Sequence, residues 1–290
     1  MKGYHDITED GGAGILQQVG VQRARIAQAL AGVRRRLAIG SGKGGVGKST
    51  LVRQLASALA GDGRRVAVLD ADLNGPSQAR LAGMPAAPFL PGANGIALPR
   101  NREGIGVVSL GSLLPESTAL EFPSVSTGEA HVWRATREFT LLGELLGSVE
   151  WGELDLLLLD LPPGAERTVQ YADYFGRETA FVLVTIPTDL ARGVVARSIA
   201  ALRQTANPLL GYVENMQGYY CTGCGSVKPL FAPGAGVALE LPCLGRIPFD
   251  PELAALSDRG GSLLEFPERP ATRAVREAAR AIGAALEEDR

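Results

Sequence analysis

Cysteine is scarce in this chain. Three residues in 290 are too few for a disulfide framework, and the odd count leaves one thiol over in any pairing. Histidine is scarcer still: His5 and His131 stand alone, and neither spacing nor neighbours make a site of them. A surplus of one charge is missing too, since 29 Lys and Arg against 31 Asp and Glu leave a net charge of −2. That balance supplies no broad basic field, so nucleic acid drops from the expected partners. No apolar run approaches a bilayer-spanning length, and Met1 to Gly14 carry no apolar signal core. Together these absences argue against secretion and membrane insertion and set the expectation of a cytoplasmic protein.

What is present fits one large α/β unit. Hydrophobic residues make up 46% and charged residues 21%, enough to bury a core without disulfide staples. Ile15, Leu16, Val19, Ile26, Leu30 and Val33 recur at helical spacing ahead of Arg34-Arg35-Arg36. The pattern predicts an amphipathic helix over residues 15–36, its arginines complementing the dipole at the last turn. A second such helix closes the chain over 269–290, where Val275, Ile282 and Leu286 lie among alanines before an acidic end that argues against a membrane-surface anchor. Between them, apolar runs at 37–39, 66–69, 107–110, 154–159, 181–186, 209–214 and 244–247 alternate with helical stretches. Such runs predict strands buried on both faces, hence an α/β fold with a mostly parallel central sheet and helices on both faces. Residues 84–104 and 111–130 lack periodicity and read as long loops over a ligand or partner. The expected organisation is a helical extension over 1–36 and one domain over 37–290.

Residues 42–50 read Gly42-Lys43-Gly44-Gly45-Val46-Gly47-Lys48-Ser49-Thr50, which satisfies G-x-x-x-x-G-K-S/T between an expected strand and an expected helix. Glycines let backbone N–H groups converge on phosphate oxygens, Lys48 neutralises β- and γ-phosphate charge, and Ser49 offers a hydroxyl to Mg²⁺. A plain glycine turn needs neither the lysine nor the hydroxyl. Lys43, at the start of the loop, points away from its own phosphates and is placed to reach a neighbour's, the role of an arginine finger. On these residues the loop resembles the deviant Walker A branch of P-loop ATPases, the group containing MinD, ParA and the arsenite and tail-anchored-protein ATPases. The resemblance implies ATP as ligand and a nucleotide-sandwich dimer crossed by the signature lysine.

Asp70-Ala71-Asp72-Leu73-Asn74-Gly75-Pro76-Ser77 follows the second expected strand. Two carboxylates at a strand's carboxyl end sit where Mg²⁺ and an attacking water would be, although an aspartate-rich turn with helix caps is the plainer alternative. By the resemblance, Asp72 is the switch I aspartate that orients water, which joins it to Lys43 and Lys48 as the catalytic set. Asp160 matches a Walker B acid that holds Mg²⁺ through water, giving Ser49, Asp70 and Asp160 as the magnesium residues. Pro162-Pro163-Gly164 fits a switch II loop whose Gly164 amide senses the γ-phosphate. Asn215, at the end of the run 209–214, has an amide able to donate to and accept from adenine's edge, and the resembling ATPases use an asparagine there. A strand-terminating turn residue is the alternative.

Tyr219-Tyr220-Cys221-Thr222-Gly223-Cys224-Gly225 is a C-x-x-C-G knuckle. A thioredoxin-like pair opens a helix, which Gly225 and Pro229 disfavour here. A zinc site or a [4Fe-4S] cluster wants four thiolates, and one chain offers two, with Cys243 distant and read as a small buried hydrophobe. A twofold homodimer supplies the missing pair, because an isologous interface sets Cys221 and Cys224 opposite their copies.

Val213-Glu214-Asn215-Met216, the knuckle, Leu230-Phe231, Gly234-Ala235-Gly236 and Leu244-Gly245-Arg246-Ile247-Pro248-Phe249-Asp250 resemble, in that order, the Mrp/ApbC family of iron–sulfur cluster carrier ATPases. The stretch from Asp70 to Ser77 and Trp151-Gly152-Glu153-Leu154-Asp155 fit the same family, and the likeness runs from about residue 37 to 256. It implies a homodimer that binds ATP, with Pro248 among the nucleotide-binding residues. It also implies a labile cluster on paired cysteines of a dimer loop near 217–230, passed on to apo iron–sulfur proteins. The chain departs from the family where Ala165-Glu166-Arg167 replace Thr-Gly-Asp-like residues, Leu161 replaces a threonine, and Ala135-Thr136 replace Gly-Pro after Trp133-Arg134; residues 115–130 also look longer than usual. Slow hydrolysis is the expectation from these changes. Two rivals stand beside the carrier. A MinD/ParA-like positioning ATPase needs a membrane helix or basic face that is not evident, and a zinc-bridged interaction protein would use nucleotide only to control dimerisation.

Overall fold

The computed structural model describes residues 15–113, 130–232 and 237–288. Expectations placed on 114–129, on Gly234-Ala235-Gly236 and on His5 lie outside these residues. In chain order the strands are β1 (Arg36–Ser41), β2 (Val66–Asp70), β3 (Ile96–Ala97), β4 (Gly106–Val108), β5 (Val149–Glu150), β6 (Leu156–Asp160), β7 (Thr179–Thr185), β8 (Leu209–Cys221), β9 (Ser226–Lys228) and β10 (Cys243–Phe249). The helices are α1 (Ile15–Ala29), α2 (Lys48–Gly61), α3 (Gln78–Leu81), α4 (Ala130–Ser148), α5 (Ala165–Phe175), α6 (Asp189–Leu202), α7 (Pro251–Asp258) and α8 (Pro270–Glu288).

The central sheet runs β10-β8-β7-β1-β6-β2-β4 with every pair parallel, and β9 adds antiparallel to the far end of β8. Side chains alternate across it, as the twofold period of a strand requires. Leu37, Ile39, Val66, Val68, Leu156 and Leu158 enter one core with Leu51 and Leu55 of α2 and Val275 and Ile282 of α8. Ala38, Ala67, Leu69, Leu157 and Leu159 enter the other, with Leu142 of α4, Tyr171 of α5 and Val195 of α6. Each fully buried Leu, Ile or Val contributes about 1.5–3 kcal/mol relative to exposure, which is why the strands read as unbroken apolar runs.

The basic run needs correction. The first helix ends at Ala29, and Val33 already bridges to Leu154 while Arg36 opens β1, so no arginine of the run sits in a last helical turn. Gly32 passes so close to the chain that a Cβ there would lie 2.5 Å from the Gly152 carbonyl oxygen, which diverts the backbone into the sheet. Arg34 pairs instead with Asp155 at 3.5 Å and Arg36 with Glu178. The first helix lies on α4, where Arg25 donates to Glu144 at 3.1 Å and to Ser148 at 2.7 Å.

Two boundaries differ as well. The strand expected over 107–110 ends at Val108, because Ser109 caps a short 3-10 turn, Leu110–Ser112, with its hydroxyl. Residues 84–104 are not structureless: Ile96–Ala97 pairs with β5, and the buried Arg53 reaches across to the Leu81 carbonyl at 3.2 Å and to Glu103.

Candidate functional site

Loops after β1, β2, β6 and β8 leave the sheet at its carboxyl edge, the edge at which open α/β sheets bind ligands. After β1 the chain turns through Gly42 to Gly47 and enters α2 at Lys48, with Gly47 in the left-handed region at φ 77° as the residue before the helix. That geometry aims the first N–H groups of α2 into the loop, including those of Ser49 and Thr50.

Lys48 is buried and bridges to Asp160, which is fully buried at the end of β6, and its Nζ also donates to Ser49 Oγ at 3.3 Å. The lysine of the loop and the acid at the end of β6 therefore neutralise each other. Asp70, at the end of β2, is buried; its Oδ2 accepts from Ser77 N at 2.8 Å, Gln78 N at 2.9 Å and Ser109 Oγ at 2.9 Å. Burial, with the Asp160 charge adding to it, pushes the Asp70 carboxyl up to about 7. It thus pins the turn from Asp72 to Gln78. Asp72 is half-buried, accepts from Gly75 N at 3.3 Å, and is shifted upward by burial against the opposing pull of Lys48.

Lys43 forms no ion pair with a described residue. The Gly164 amide, read as a γ-phosphate sensor, donates to the Ser41 carbonyl at 2.8 Å and so ties the segment after β6 to the end of β1. Asn215 does not end its strand. Its Nδ2 donates to the Val46 carbonyl at 2.9 Å, and β8 runs on to Cys221 through a bulge in which Met216 takes φ 56°. The ladder to β10 breaks between Ile247, opposite Asn215, and Phe249, opposite Tyr219. Pro248 sits in that gap, and lacking an N–H it has no ladder bond to give.

Beyond the bulge the chain forms a hairpin arm. Cys221 ends β8 opposite Ser226 of β9, and Gly225 N donates to the Cys221 carbonyl at 2.8 Å to close the turn. The arm is held at its base by Tyr219 stacked on Phe249 at 6.5 Å and by Arg269 over the Tyr220 ring at 5.4 Å; Arg269 is itself paired with Asp250 at 3.3 Å. Cys221 and Cys224 are free thiols, and Cys224 is exposed. Its Sγ lies 3.0 Å from Ser226 Oγ; hydrogen bonds from the Ser226 hydroxyl and amide lower its pKa to about 7. Cys243 is half-buried rather than fully buried, with its Sγ 3.5 Å from the Gly245 carbonyl. It pairs with Tyr212 at the other end of β8, on the order of 30 Å from Cys221 at roughly 3.3 Å per residue, and so cannot join the knuckle of its own chain. No group of three or more His, Cys, Asp or Glu able to hold a metal occurs among the described residues. Nor does any described helix have the length and apolarity to cross a membrane.

Three residues at this edge escaped sequence reading. Gln78 bonds both Ser49 and Asp160. Glu138 of α4 is buried and accepts from Asn74 at 2.6 Å and from Arg167. Ser226 tunes Cys224. Gln78 and Glu138 look like ordinary surface residues in sequence; only the packing of distant segments buries them.

Strand, glycine loop, helix and buried acid together define a P-loop NTPase. The chain belongs to the ParA family described as NUBPL iron-transfer P-loop NTPase, whose model matches residues 32–283. It is 36% identical over 263 residues to an iron-sulfur cluster carrier protein of Deinococcus radiodurans, covering 90% of this chain and 72% of that one. It is 37% identical over 253 residues to a cytosolic Fe-S cluster assembly factor NUBP2 homolog of Trichoplax adhaerens, covering 83% and 91%. Among solved structures, a nucleotide-binding protein of Archaeoglobus fulgidus in complex with ADP, in which Co was found, superposes with a TM-score of 0.67 at 34% identity, covering 82% of this chain and 90% of that one.

Proposed function

We propose that the protein is an ATP-hydrolysing iron–sulfur cluster carrier that works as a homodimer in the cytoplasm, holding a [4Fe-4S] cluster between Cys221 and Cys224 of two subunits and passing it to apo iron–sulfur proteins. One observation carries the reading: two free thiols sit on an arm whose strand runs directly from Asn215, a residue bonded to the phosphate loop. Thiolates are the soft ligands that iron–sulfur centres use, and a thiol with a pKa of about 7 supplies one near neutrality. Two ligands per chain make a half-site that a twofold axis completes. Val227 and Leu230, exposed beside the cysteines, are apolar surface of the kind such a contact covers. Transfer is thiolate exchange: each iron–sulfur bond to Cys221 or Cys224 that breaks is replaced by one to the recipient, without net oxidation.

At the other end of the strand, the loop amides of 44–50 and Lys48 bind the phosphates of ATP, Lys43 reaches the neighbour's phosphates, and Asp72 orients the attacking water. Asn215, bonded to the loop, and Pro248, in the bulge next to it, are assigned to the adenine. The Ser49 hydroxyl and the Asp70 and Asp160 carboxylates form an all-oxygen set, which fits Mg²⁺, and the buried Gln78, bonded to both acids, lies beside it. When bound, Mg²⁺ supplies positive charge to the β- and γ-phosphate oxygens. The domain proper begins where Val33 bridges to Leu154 and Arg36 opens β1, with α1 as a helical extension ahead of it.

Anaerobic reconstitution followed by iron, sulfide and zinc analysis tests the reading. The expected result is ~4 iron and ~4 sulfide per two chains, the content of a four-cysteine cluster. Zinc without sulfide indicates the bridged interaction protein instead, and full metal occupancy on a monomer sinks the shared site.

A further inference from the structure

The side chain of Gln78 is fully buried between the phosphate loop and the end of β6. Its Nε2 donates to the Ser49 carbonyl at 2.9 Å and to Asp160 Oδ2 at 2.7 Å. A backbone carbonyl and an ionised carboxylate only accept, so these partners fix the amide: turned over, it would set its oxygen against two others. The backbone N–H is fixed as well, donating to Asp70 Oδ2 at 2.9 Å. With both nitrogens committed, Oε1 is left buried and without a hydrogen-bond partner. An orphaned buried acceptor is costly and persists where a donor is expected to arrive.

We infer that Gln78 is a positioning residue for the magnesium nucleotide, its Nε2 holding the Walker B carboxylate while its Oε1 accepts a hydrogen bond from the hydration shell of Mg²⁺. The inference rests on the nucleotide reading given above. Mg²⁺ dehydrates reluctantly and keeps several waters in such sites, and each water is a donor that needs an acceptor. An amide oxygen meets that need without adding negative charge beside Asp160 and Asp70. Because the N–H of the same residue is bound by Asp70, Gln78 also ties the cation site to the turn from Asp72 to Ser77. Nothing in the phosphate-loop motif calls for a glutamine here, so the role belongs to the packing of α3 against α2 and β6.

The test is a Mg²⁺ titration of ATP binding to the full chain, read with a fluorescent ATP analogue, on wild type, Gln78→Met and Gln78→Glu. Methionine keeps the length and removes both the donor and the acceptor. Its half-saturating Mg²⁺ is expected to be about fivefold to tenfold higher, the effect of one lost hydrogen bond. A half-saturating Mg²⁺ within twofold of wild type overturns the inference. Glutamate keeps an acceptor oxygen but sets a second oxygen against the Ser49 carbonyl and Asp160 in place of Nε2, so its half-saturating Mg²⁺ is expected to rise by more than about twofold. If the methionine variant fails to fold, an unchanged or lowered value for the glutamate variant overturns the inference on its own. A wild type that binds no ATP, or binds it without regard to Mg²⁺, defeats the nucleotide reading itself and is distinguishable from either result.

Discussion

Asn215 Nδ2 and the backbone of Gly47 are in mutual contact: the amide donates to the Val46 carbonyl at 2.9 Å, and a Cβ added to Gly47 would stand 2.4 Å from that nitrogen. The contact joins the phosphate loop to the strand that carries Cys221, so a change of loop conformation has a direct mechanical path into the arm. Gly47→Ala meets both this clash and a left-handed φ of 77°, which costs an L-residue about 1–2 kcal/mol by itself. The expected outcome is a lowered melting temperature and ATP affinity reduced more than about tenfold. Adding Asn215→Ala removes the clash and leaves the backbone strain, so the double variant should recover part of the melting temperature. Equal melting of the single and double variants would place the whole effect in the backbone.

The Lys48–Asp160 pair is buried on both sides, at 6% and 0% exposure, so either partner alone is an uncompensated interior charge. Lys48→Met is expected to destabilise the nucleotide-free protein by about 3–5 kcal/mol, measured by denaturant unfolding. Lys48→Met combined with Asp160→Asn should restore most of that loss and still bind no ATP. A single variant as stable as wild type would show that the pair is not formed in solution.

Asp70 makes stability depend on pH. Its folded pKa is about 7 against a model value of 3.8, so between those values the folded state holds a proton that the unfolded state has released. Stability from this group is therefore greatest at acid pH, declines as pH rises from about 4, and levels off above about 7. Asp70→Asn keeps an acceptor for Ser77, Gln78 and Ser109 and removes the titration. Its melting temperature is expected to fall less than that of wild type between pH 5 and pH 8, and parallel curves would refute the assignment.

What sequence reading found was local chemistry and two-sided burial. The phosphate loop is legible because its glycines, lysine and hydroxyl are contiguous, and β1, β2, β6 and β7 because strands covered on both faces contain little but apolar residues. The run past Asn215 was not legible as strand. Met216, Gln217 and Gly218 break the alternation, and the bulge that accommodates them is set by Pro248 on a strand distant in sequence. The arginines at 34–36 continued a helical pattern that ends earlier because Gly32 must pass the Gly152 carbonyl. Nothing in the sequence singles out Gln78 or Arg53, which are buried on Asp160 and Glu103, residues distant along the chain.

The departure at switch II has a structural counterpart. Arg167 stands where the family pattern carries an acid, and it pairs with Glu138, which is 2% exposed and also accepts from Asn74 of the switch I turn. One carboxylate thus holds both the turn after β2 and the start of α5 to α4. Arg167→Leu leaves Glu138 with a single neutral donor in a buried site, and a loss of about 2–4 kcal/mol is expected in chemical unfolding. Glu138→Gln, which keeps an acceptor and gives up the charge, should lose less. The reverse order would mean that Arg167 stabilises by its packing on Tyr171, 5.6 Å from the ring centroid, rather than through the carboxylate.

Ser226 is the residue that most lowers the pKa of the Cys224 thiol. Its hydroxyl, 3.0 Å from Cys224 Sγ, is the leading cause of the thiol pKa of about 7, ahead of its own backbone N–H and of Cys221. Replacing it by alanine removes the hydroxyl bond and keeps the N–H, so the pKa rises towards the usual thiol range without disturbing the turn. Alkylation by iodoacetamide, followed at Cys224 by site-resolved mass spectrometry, reports the thiolate fraction. Wild type should show half-maximal rate near pH 7. Ser226→Ala should shift that midpoint to higher pH and slow the reaction at neutral pH by about threefold to tenfold, since a pKa change of one unit alters the thiolate fraction by up to tenfold. The same variant should load iron more slowly at neutral pH and regain the wild-type rate at higher pH, because the ligand that binds is the thiolate. Slow loading that persists at high pH would mean that Ser226 acts on the shape of the arm and not on the charge of its cysteine.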